Sequence, residues 1–203
     1  MKQQLPKAIC FDLDGVLVDA TEWHFQAFND ALGLFGYEIG RDDHMNVYNG
    51  LPSKQKLKIM ADKGIIPSGV HNVVLEQKKM NTNKLISNNC RPMYDKIIML
   101  KWLVSQGVKV ACCSNAIQES VENMLNLSMI FDYFYTIIGN DVGFAPKPAP
   151  DIYLEAFKRL EVDAKDTWIV EDAPHGIEAA HASGAGRVIE VGGFSEVNLS
   201  LFI

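Results

Sequence analysis

The chain has 203 residues, a length that fits one ordinary domain or one domain carrying a small insertion. Hydrophobic residues make up 48% of it and charged residues 22%, so a core of normal size can form without disulfides or a structural metal. The net charge of −6 argues against a nucleic-acid partner, which requires a basic face. The sequence contains neither a signal-peptide pattern nor an apolar run of membrane-spanning length, and we therefore expect a cytoplasmic protein that does not enter a membrane.

Short apolar runs, each ending in polar residues or glycine, predict the buried strands of a sheet. In chain order these runs are 8–11, 108–113, 135–138, 168–170 and 187–191. The helical patterns of the same region are 93–106, 117–127, 150–161 and 175–183. Apolar strands that alternate with helices predict an α/β fold with a doubly wound parallel sheet, covered on both faces. In such sheets ligands bind beyond the carboxyl ends of the strands, where the polar residues after each run converge.

Residues 20–88 have a different pattern, because no β-rich run occurs there. Helical patterns occur instead at 21–36, 52–63 and 68–86, separated by glycine- and proline-containing turns. This interval predicts a small α-helical cap inserted after the first strand. We therefore predict a cap domain over 20–87 and a core domain that combines 1–19 with 88–203.

Two acids, Asp12 and Asp14, directly follow the first apolar run. In an extended strand, residues two apart share one face and lie about 6–7 Å apart. Two buried carboxylates at this spacing are costly through desolvation and like-charge repulsion, and a divalent cation with oxygen ligands offsets that cost. Mg²⁺ fits this role. The alternative is an ordinary turn, since aspartate and glycine are common in turns.

Three further polar sites follow predicted strands or lie between them. Ser114 and Asn115 follow the second run and suit phosphate oxygens, although they also suit a helix start. Lys147 lies in a proline-rich segment whose stiffness suits a lysine that neutralises phosphate and nucleophile. Glu171 and Asp172 follow the fourth run, as the first acids follow the first run. Each site alone has an ordinary structural explanation, but together they indicate a phosphate and metal site.

These sites resemble the four sequence motifs of the haloacid dehalogenase superfamily. The resemblance rests on Asp12-x-Asp14-Gly15-Val16, Ser114-Asn115, Lys147-Pro148 and Val170-Glu171-Asp172. The longer stretches 11–19, 147–151 and 171–177 are similar to the β-phosphoglucomutase and sugar-phosphatase branch. The resemblance implies a Rossmann-like core and a helical cap after the first motif, in agreement with the pattern over 20–88.

The resemblance also implies a mechanism and a cofactor. Asp12 is the expected nucleophile, which forms an aspartyl phosphate, and Asp14 is the expected acid and base. The implied Mg²⁺ ligands are Asp12, the backbone carbonyl of Asp14 and Asp172, with Glu171 in support through water. The implied ligands of the phosphoryl oxygens are Ser114, Asn115 and Lys147.

We expect a phosphatase that hydrolyses a small phosphate monoester, such as a sugar or polyol phosphate. One alternative is a β-phosphoglucomutase-like mutase. His24 favours it, because it resembles a cap-side histidine that in β-phosphoglucomutase-like proteins helps to manage the proton on the residue at the Asp14 position. Against the mutase, Ala20 replaces a hydroxyl residue, and the stretch 115–118 lacks the lysine expected for a second phosphate. A remote alternative is an inactive binding module, which the presence of Asp12 and Asp14 disfavours.

The predicted cap contains the candidates for substrate recognition. Gly50 and Lys54 lie in the turn 46–54, where Lys54 suits a second anionic or hydroxylated part of the substrate, or is a solvated residue of a helix start. His24, the third candidate, is alternatively a packing residue on a helix face. No feature of the sequence requires a dimer, and we expect a monomer.

Overall fold

The structure is a computed structural model that describes residues 5–203, and the chain forms two compact units. One unit, here the core unit, consists of the described residues of Met1–Asp19 together with Cys90–Ile203. The other, here the helical unit, is Ala20–Asn89. The helical unit begins at residue 20, where the predicted cap begins, and ends two residues after the predicted end at 87.

Within the described residues, the core unit contains a five-stranded parallel sheet. The strands are β1 (Ala8–Phe11), β2 (Lys109–Cys113), β3 (Thr136–Ile138), β4 (Thr167–Glu171) and β5 (Arg187–Glu190). Their order across the sheet is β3-β2-β1-β4-β5. Ile9 of the central strand lies opposite Val110 on one side and Trp168 on the other. This sheet confirms the predicted α/β fold, and all four residues of β1 are fully buried, as its apolar sequence predicts.

Regular structure in the helical unit is entirely helical. Its helices are α1 (Thr21–Gly33), α2 (Arg41–Asp43), which continues into a π-helical turn at His44–Tyr48, α3 (Ser53–Asp62) and α4 (His71–Asn89). Their apolar faces form a core of their own, which includes Phe28, Leu32, Leu57 and Met60. The helical turns over 41–48 were not predicted, because a segment this short has too few residues to show a helical period.

The core unit has four longer helices. They are α5 (Tyr94–Ser105), α6 (Gln118–Leu127), α7 (Asp151–Leu160) and α8 (Pro174–Ala182). Apolar residues of α7 and α8 pack with Ala8 and Cys10 on one face of the sheet. On the other face the ring of Phe11 meets that of Phe202 edge to face, with centroids 6.1 Å apart. Among the described residues, none of the helices combines the length and apolar composition that a bilayer crossing requires.

The strand order places a topological switch point beside β1. From β1 the sheet continues to β2 and β3 on one side and to β4 and β5 on the other. In open parallel sheets the crevice for a ligand forms at the carboxyl ends of the strands at such a point. We call this side of the sheet, where β1, β2 and β4 end, the carboxyl edge. Three of the four sequence motifs lie at the ends of these strands, and the remaining one, Lys147-Pro148, lies between β3 and α7.

Candidate active site

A buried lysine joins two carboxylates at the carboxyl edge. Asp12 directly follows β1, and its backbone N–H donates to the carbonyl of Val170 at 3.0 Å, which extends the pairing with β4 by one residue. The Nζ of Lys147 donates to Asp12 Oδ1 at 2.6 Å, to Glu171 Oε1 at 2.5 Å and to the carbonyl of Cys113 at 2.9 Å. An ammonium group has three N–H donors, and each has an acceptor here. Lys147 is therefore fixed as a cation beside Asp12.

The backbone of Lys147 is held by the side chain of Asn115. Its Oδ1 accepts from the backbone N–H of Lys147 at 3.0 Å, and its Nδ2 donates to the carbonyl of the same residue at 3.4 Å. The carbonyl of Asn115 in turn accepts from the side chain of Asn140 at 2.8 Å. The loop after β2 therefore holds the lysine segment, in addition to any contact that Asn115 makes with a ligand.

Both oxygens of Glu171 accept hydrogen bonds in the interior. Oε1 accepts from the hydroxyl of Tyr153 at 2.6 Å as well as from Lys147, and Oε2 accepts from the backbone N–H groups of Asp172 at 3.1 Å and Ala173 at 3.4 Å. Gly176 of α8 packs so closely that a Cβ there would collide with the carboxyl group. Glu171 is fully buried, and its negative charge is compensated mainly by Lys147.

Asp172 lies against the turn that follows β1. Gly15 has a φ of +85°, and a Cβ at this position would collide with Asp172 Oδ2. The other oxygen, Oδ1, is buried and has no hydrogen-bond partner among the residues that the structure describes. Ser114 donates from its hydroxyl to Asp14 Oδ2 at 3.4 Å and accepts from the backbone N–H of Ala116 at 3.0 Å. Asp14 and Ser114 therefore lie together beside this acidic group.

The electrostatics of this edge favour a bound cation. Oxygens of Asp12, Glu171 and Asp172 lie within 4.8 Å of one another. Burial, followed by the charge of Glu171, raises the pKa of Asp12 well above its usual range, although Lys147 opposes the shift. Burial, followed by the charges of Glu171 and Asp14, raises the pKa of Asp172 to about 7. Hard oxygen ligands and a buried oxygen without a donor are what a divalent cation such as Mg²⁺ requires, so the residues fit the predicted metal.

The pKa values of Lys147 and Tyr153, which contact the acids, are also shifted. Burial alone would lower the pKa of Lys147, but the charges and hydrogen bonds of Asp12 and Glu171 raise it above its ordinary value. Burial, followed by the negative charges of Glu171 and Asp12, raises the pKa of Tyr153 well above its ordinary value. Lys147 is therefore a cation and the hydroxyl of Tyr153 a proton donor throughout the neutral range.

Seven residues predicted from the sequence follow strands at the carboxyl edge or contact residues that do. They are Asp12, Asp14, Ser114, Asn115, Lys147, Glu171 and Asp172. The other three candidates belong to the helical unit. There His24 Nδ1 lies 3.2 Å from Lys78 Nζ, Gly50 has a φ of +75° in the turn before α3, and Lys54 is exposed in the first turn of α3. Their predicted contact with substrate stays a prediction.

Tyr153 is the residue of this site that the sequence did not reveal. It lies in the apolar stripe of α7 with Ile152, Ala156, Phe157 and Leu160, and in this pattern it looks like one more packing residue. A tyrosine hydroxyl that is buried needs a hydrogen-bond partner, and this chemical requirement was the available indication that Tyr153 does more than pack. The sequence gives no indication of which residue that partner is.

Together, the switch-point sheet and the lysine-linked carboxylates define a class of α/β enzymes that act at the carboxyl edge of a parallel sheet. Residues 9–189 match the family model described as "Haloacid dehalogenase-like hydrolase", and the chain belongs to this family. The resemblance seen in the sequence motifs is thereby confirmed.

Individual relatives agree with this membership. The chain is 28% identical to "Phosphorylated carbohydrates phosphatase" of Thermotoga maritima over 91% of its own length and 85% of the relative's. It is 26% identical to "Beta-phosphoglucomutase" of Bacillus subtilis, covering 88% of this chain and 80% of that protein. Its fold is similar to that of the β-phosphoglucomutase crystal structure from Clostridium difficile, with a TM-score of 0.81, 22% identity, and 97% and 95% of the two chains covered. The predicted enzyme class, a haloacid dehalogenase-type phosphatase of the β-phosphoglucomutase and sugar-phosphatase branch, is confirmed by the family and these relatives.

Proposed function

We propose that the chain is a Mg²⁺-dependent phosphatase that hydrolyses a small phosphate monoester, a sugar or polyol phosphate, through an aspartyl phosphate on Asp12. The observation that carries this proposal is the contact between Asp12 and the buried ammonium of Lys147 at the carboxyl edge. An aspartate held beside a fixed cation is kept in one orientation, as in-line attack on phosphorus requires. The relatives that act on phosphorylated carbohydrates support the choice of substrate class.

In the first half of the reaction, a carboxylate oxygen of Asp12 attacks phosphorus while the bond from phosphorus to the leaving oxygen breaks. Asp14 gives its proton to that oxygen, and the alcohol leaves. In the second half, water attacks the same phosphorus, Asp14 takes a proton from it, and the bond from Asp12 to phosphorus breaks to release inorganic phosphate. Lys147 compensates negative charge on Asp12 and the phosphoryl oxygens throughout.

We propose that Asp12, the backbone carbonyl of Asp14 and Asp172 hold the Mg²⁺, which supplies positive charge to the phosphoryl oxygens when bound. The buried, unpartnered Oδ1 of Asp172 supports this assignment. Glu171 is predicted to support the metal through water. Because both its oxygens already accept hydrogen bonds, we propose that its larger contribution is to hold Lys147.

Ser114, Asn115 and Lys147 are the proposed ligands of the phosphoryl oxygens. Ser114 and Lys147 bring a hydroxyl and an ammonium group to the carboxyl edge. The amide of Asn115 holds the backbone of Lys147, so we propose that Asn115 contributes to phosphate binding chiefly by fixing the lysine.

Water, rather than a second sugar hydroxyl, is the proposed acceptor of the phosphoryl group. A mutase needs a second phosphate site, and the stretch 115–118 has no lysine to build one. Gln118, the last residue of this stretch, forms hydrogen bonds within the core unit instead. Its Oε1 accepts from the backbone N–H of Gly139 at 2.6 Å, and its Nε2 donates to Glu122 at 2.8 Å. A mutase stays the alternative, because the chain is similar both to a relative named as a phosphatase and to one named as a β-phosphoglucomutase.

The test is phosphate release from a panel of phosphorylated sugars, polyols and small acids, with Mg²⁺ or with a chelator. We expect release that depends on Mg²⁺ and falls on the order of 10⁴-fold or more in Asp12→Asn, which removes the nucleophile. Asp132→Asn, at an exposed position of the same unit, is the matched control and should keep wild-type activity. Isomerisation of β-glucose 1-phosphate faster than any release would establish the mutase, and no turnover of any monoester would revive the binding module.

A further inference from the structure

Tyr153 places one hydroxyl group at the acidic cluster, on the same carboxylate oxygen that accepts from Lys147. It lies in the first turn of α7, is fully buried, and donates to Glu171 Oε1 at 2.6 Å. The Nζ of Lys147 lies 4.9 Å from the centroid of its ring. Tyr153 therefore contacts both members of the Glu171–Lys147 pair, whereas among the described residues no hydrogen bond joins it to Asp12.

Packing alone does not account for a tyrosine at this position. The neighbouring residues of the stripe on α7 are apolar, and a phenylalanine would fill the same space without burying a hydroxyl group. Burying a hydroxyl is unfavourable unless it forms a good hydrogen bond, so the position requires the bond to Glu171. That bond is charge-assisted, because its acceptor belongs to the carboxylate that also pairs with Lys147.

The geometry at Glu171 makes the orientation of Lys147 depend on this hydroxyl. The carboxylate is fixed through Oε2 by two backbone N–H groups and through Oε1 by Tyr153 and Lys147. Without the hydroxyl, Lys147 is the remaining donor to Oε1 among the described residues, and the carboxyl group loses one of the hydrogen bonds that fix the position of this oxygen. Because Nζ of Lys147 is bonded to Oε1 and to Asp12 Oδ1 at the same time, a displacement of Oε1 changes the contact of the ammonium with Asp12.

We infer that Tyr153 is a positioning residue of the phosphatase. Its hydroxyl shares Glu171 Oε1 with Lys147 and so keeps the ammonium directed at Asp12. This inference rests on the proposed function, since the contact between Lys147 and Asp12 matters most when Asp12 attacks phosphorus. Its effect belongs to the reaction step rather than to substrate binding.

The test compares Tyr153→Phe with Tyr135→Phe, which removes a hydroxyl from an exposed tyrosine of the same unit. Steady-state kinetics are measured with Mg²⁺ on the best substrate of the panel. We expect kcat of Tyr153→Phe to fall by about 10- to 100-fold, with KM close to wild type, because small displacements of catalytic groups slow the chemical step. Tyr135→Phe should match wild type in both parameters.

A double-mutant cycle separates positioning from a general loss of packing. If Tyr153 acts through Glu171, the kcat losses of Tyr153→Phe and Glu171→Gln should be strongly non-additive. If Glu171→Gln does not fold, the nitrogen NMR resonance of the Lys147 ammonium replaces the cycle. It should shift in Tyr153→Phe and stay unchanged in Tyr135→Phe.

The outcomes distinguish the two proposals. If wild type releases phosphate and Tyr153→Phe has the same kcat as Tyr135→Phe, the inference about Tyr153 is overturned and the proposed function stands. Additive losses in the cycle, or an unchanged Lys147 resonance where the cycle cannot be completed, also overturn it. If wild type turns over no monoester, the proposed function itself is overturned, and with it the role in catalysis given to Tyr153.

Discussion

The raised pKa of Asp172 makes the stability of the cation-free protein depend on pH. Burial, followed by the charges of Glu171 and Asp14, raises this pKa from 3.8 to about 7. Because the folded-state pKa is the higher one, the contribution to stability is full below about pH 4 and is lost as the pH rises through about 7. Each pH unit in this window corresponds to about 1.4 kcal/mol. From about pH 5 to pH 7, Asp172 should therefore lower the free energy of unfolding by about 2 kcal/mol, because the folded-state carboxyl group is already half ionised at the upper end of this range.

The measurement is urea unfolding across this range, with chelator or with Mg²⁺, for wild type and Asp172→Asn. Asparagine has nearly the same shape and does not titrate, so the difference between the two proteins removes the contribution of other groups. With chelator, wild type should lose about 2 kcal/mol more than the variant between about pH 5 and 7. With Mg²⁺ this loss should be largely abolished, because a cation that binds the charged carboxylate stabilises the folded state. Parallel pH profiles with chelator, or equal stabilisation of both proteins by Mg²⁺, would refute the reasoning.

Three other substitutions test separate parts of the structure. Asn115→Ala should lower kcat about ten-fold with a smaller change in KM, because the substitution releases the backbone of Lys147. A change confined to KM would indicate that Asn115 binds phosphate directly instead. Gly176→Ala should lower the free energy of unfolding by about 1–3 kcal/mol, since its Cβ collides with the carboxyl group of Glu171, and wild-type stability in thermal unfolding would contradict this. Burial lowers the pKa of His44 from 6.5 to about 4, so the stability it contributes is lost as the pH falls from 6.5 through 4. His44→Phe should remove that acid-dependent loss, and equal acid slopes in urea unfolding of the two proteins would count against it.

The elements of the core unit were predictable because each one shows its own local pattern. The apolar run 168–170 became β4 at Thr167–Glu171, and the helical pattern 150–161 became α7 at Asp151–Leu160. The bounds differ by a residue or two, as hydrogen bonding at element ends is set by neighbours rather than by local sequence. In the helical unit, the segment 41–48 was missed because its helical turns are stabilised by packing, with His44 and Tyr48 buried, and not by a periodic sequence.

Site residues were predictable only where the chain places several polar groups directly after strands. Asp12 and Asp172 could be found this way, because parallel strands bring their carboxyl ends to one edge. The contact between Tyr153 and Glu171 could not, since one residue lies on a helix face and the other ends a strand. Their meeting depends on how α7 packs against the sheet, which no short-range pattern contains. Asn115 was similarly predicted as a phosphate ligand, while its contact with the lysine backbone required the loop geometry.

The charges of the site explain why an acidic protein is proposed to bind an anion with the help of a cation. Asp12, Asp14, Glu171 and Asp172 provide four carboxyl groups, and Lys147 is the ammonium that contacts two of them. Glu171 and Lys147 largely compensate each other, so the remaining acids would repel the two negative charges of a phosphate monoester. A divalent cation held by Asp12 and Asp172, as proposed, would reverse this balance where the phosphate is proposed to bind. The carboxylates would then not oppose phosphate binding but would make it depend on Mg²⁺.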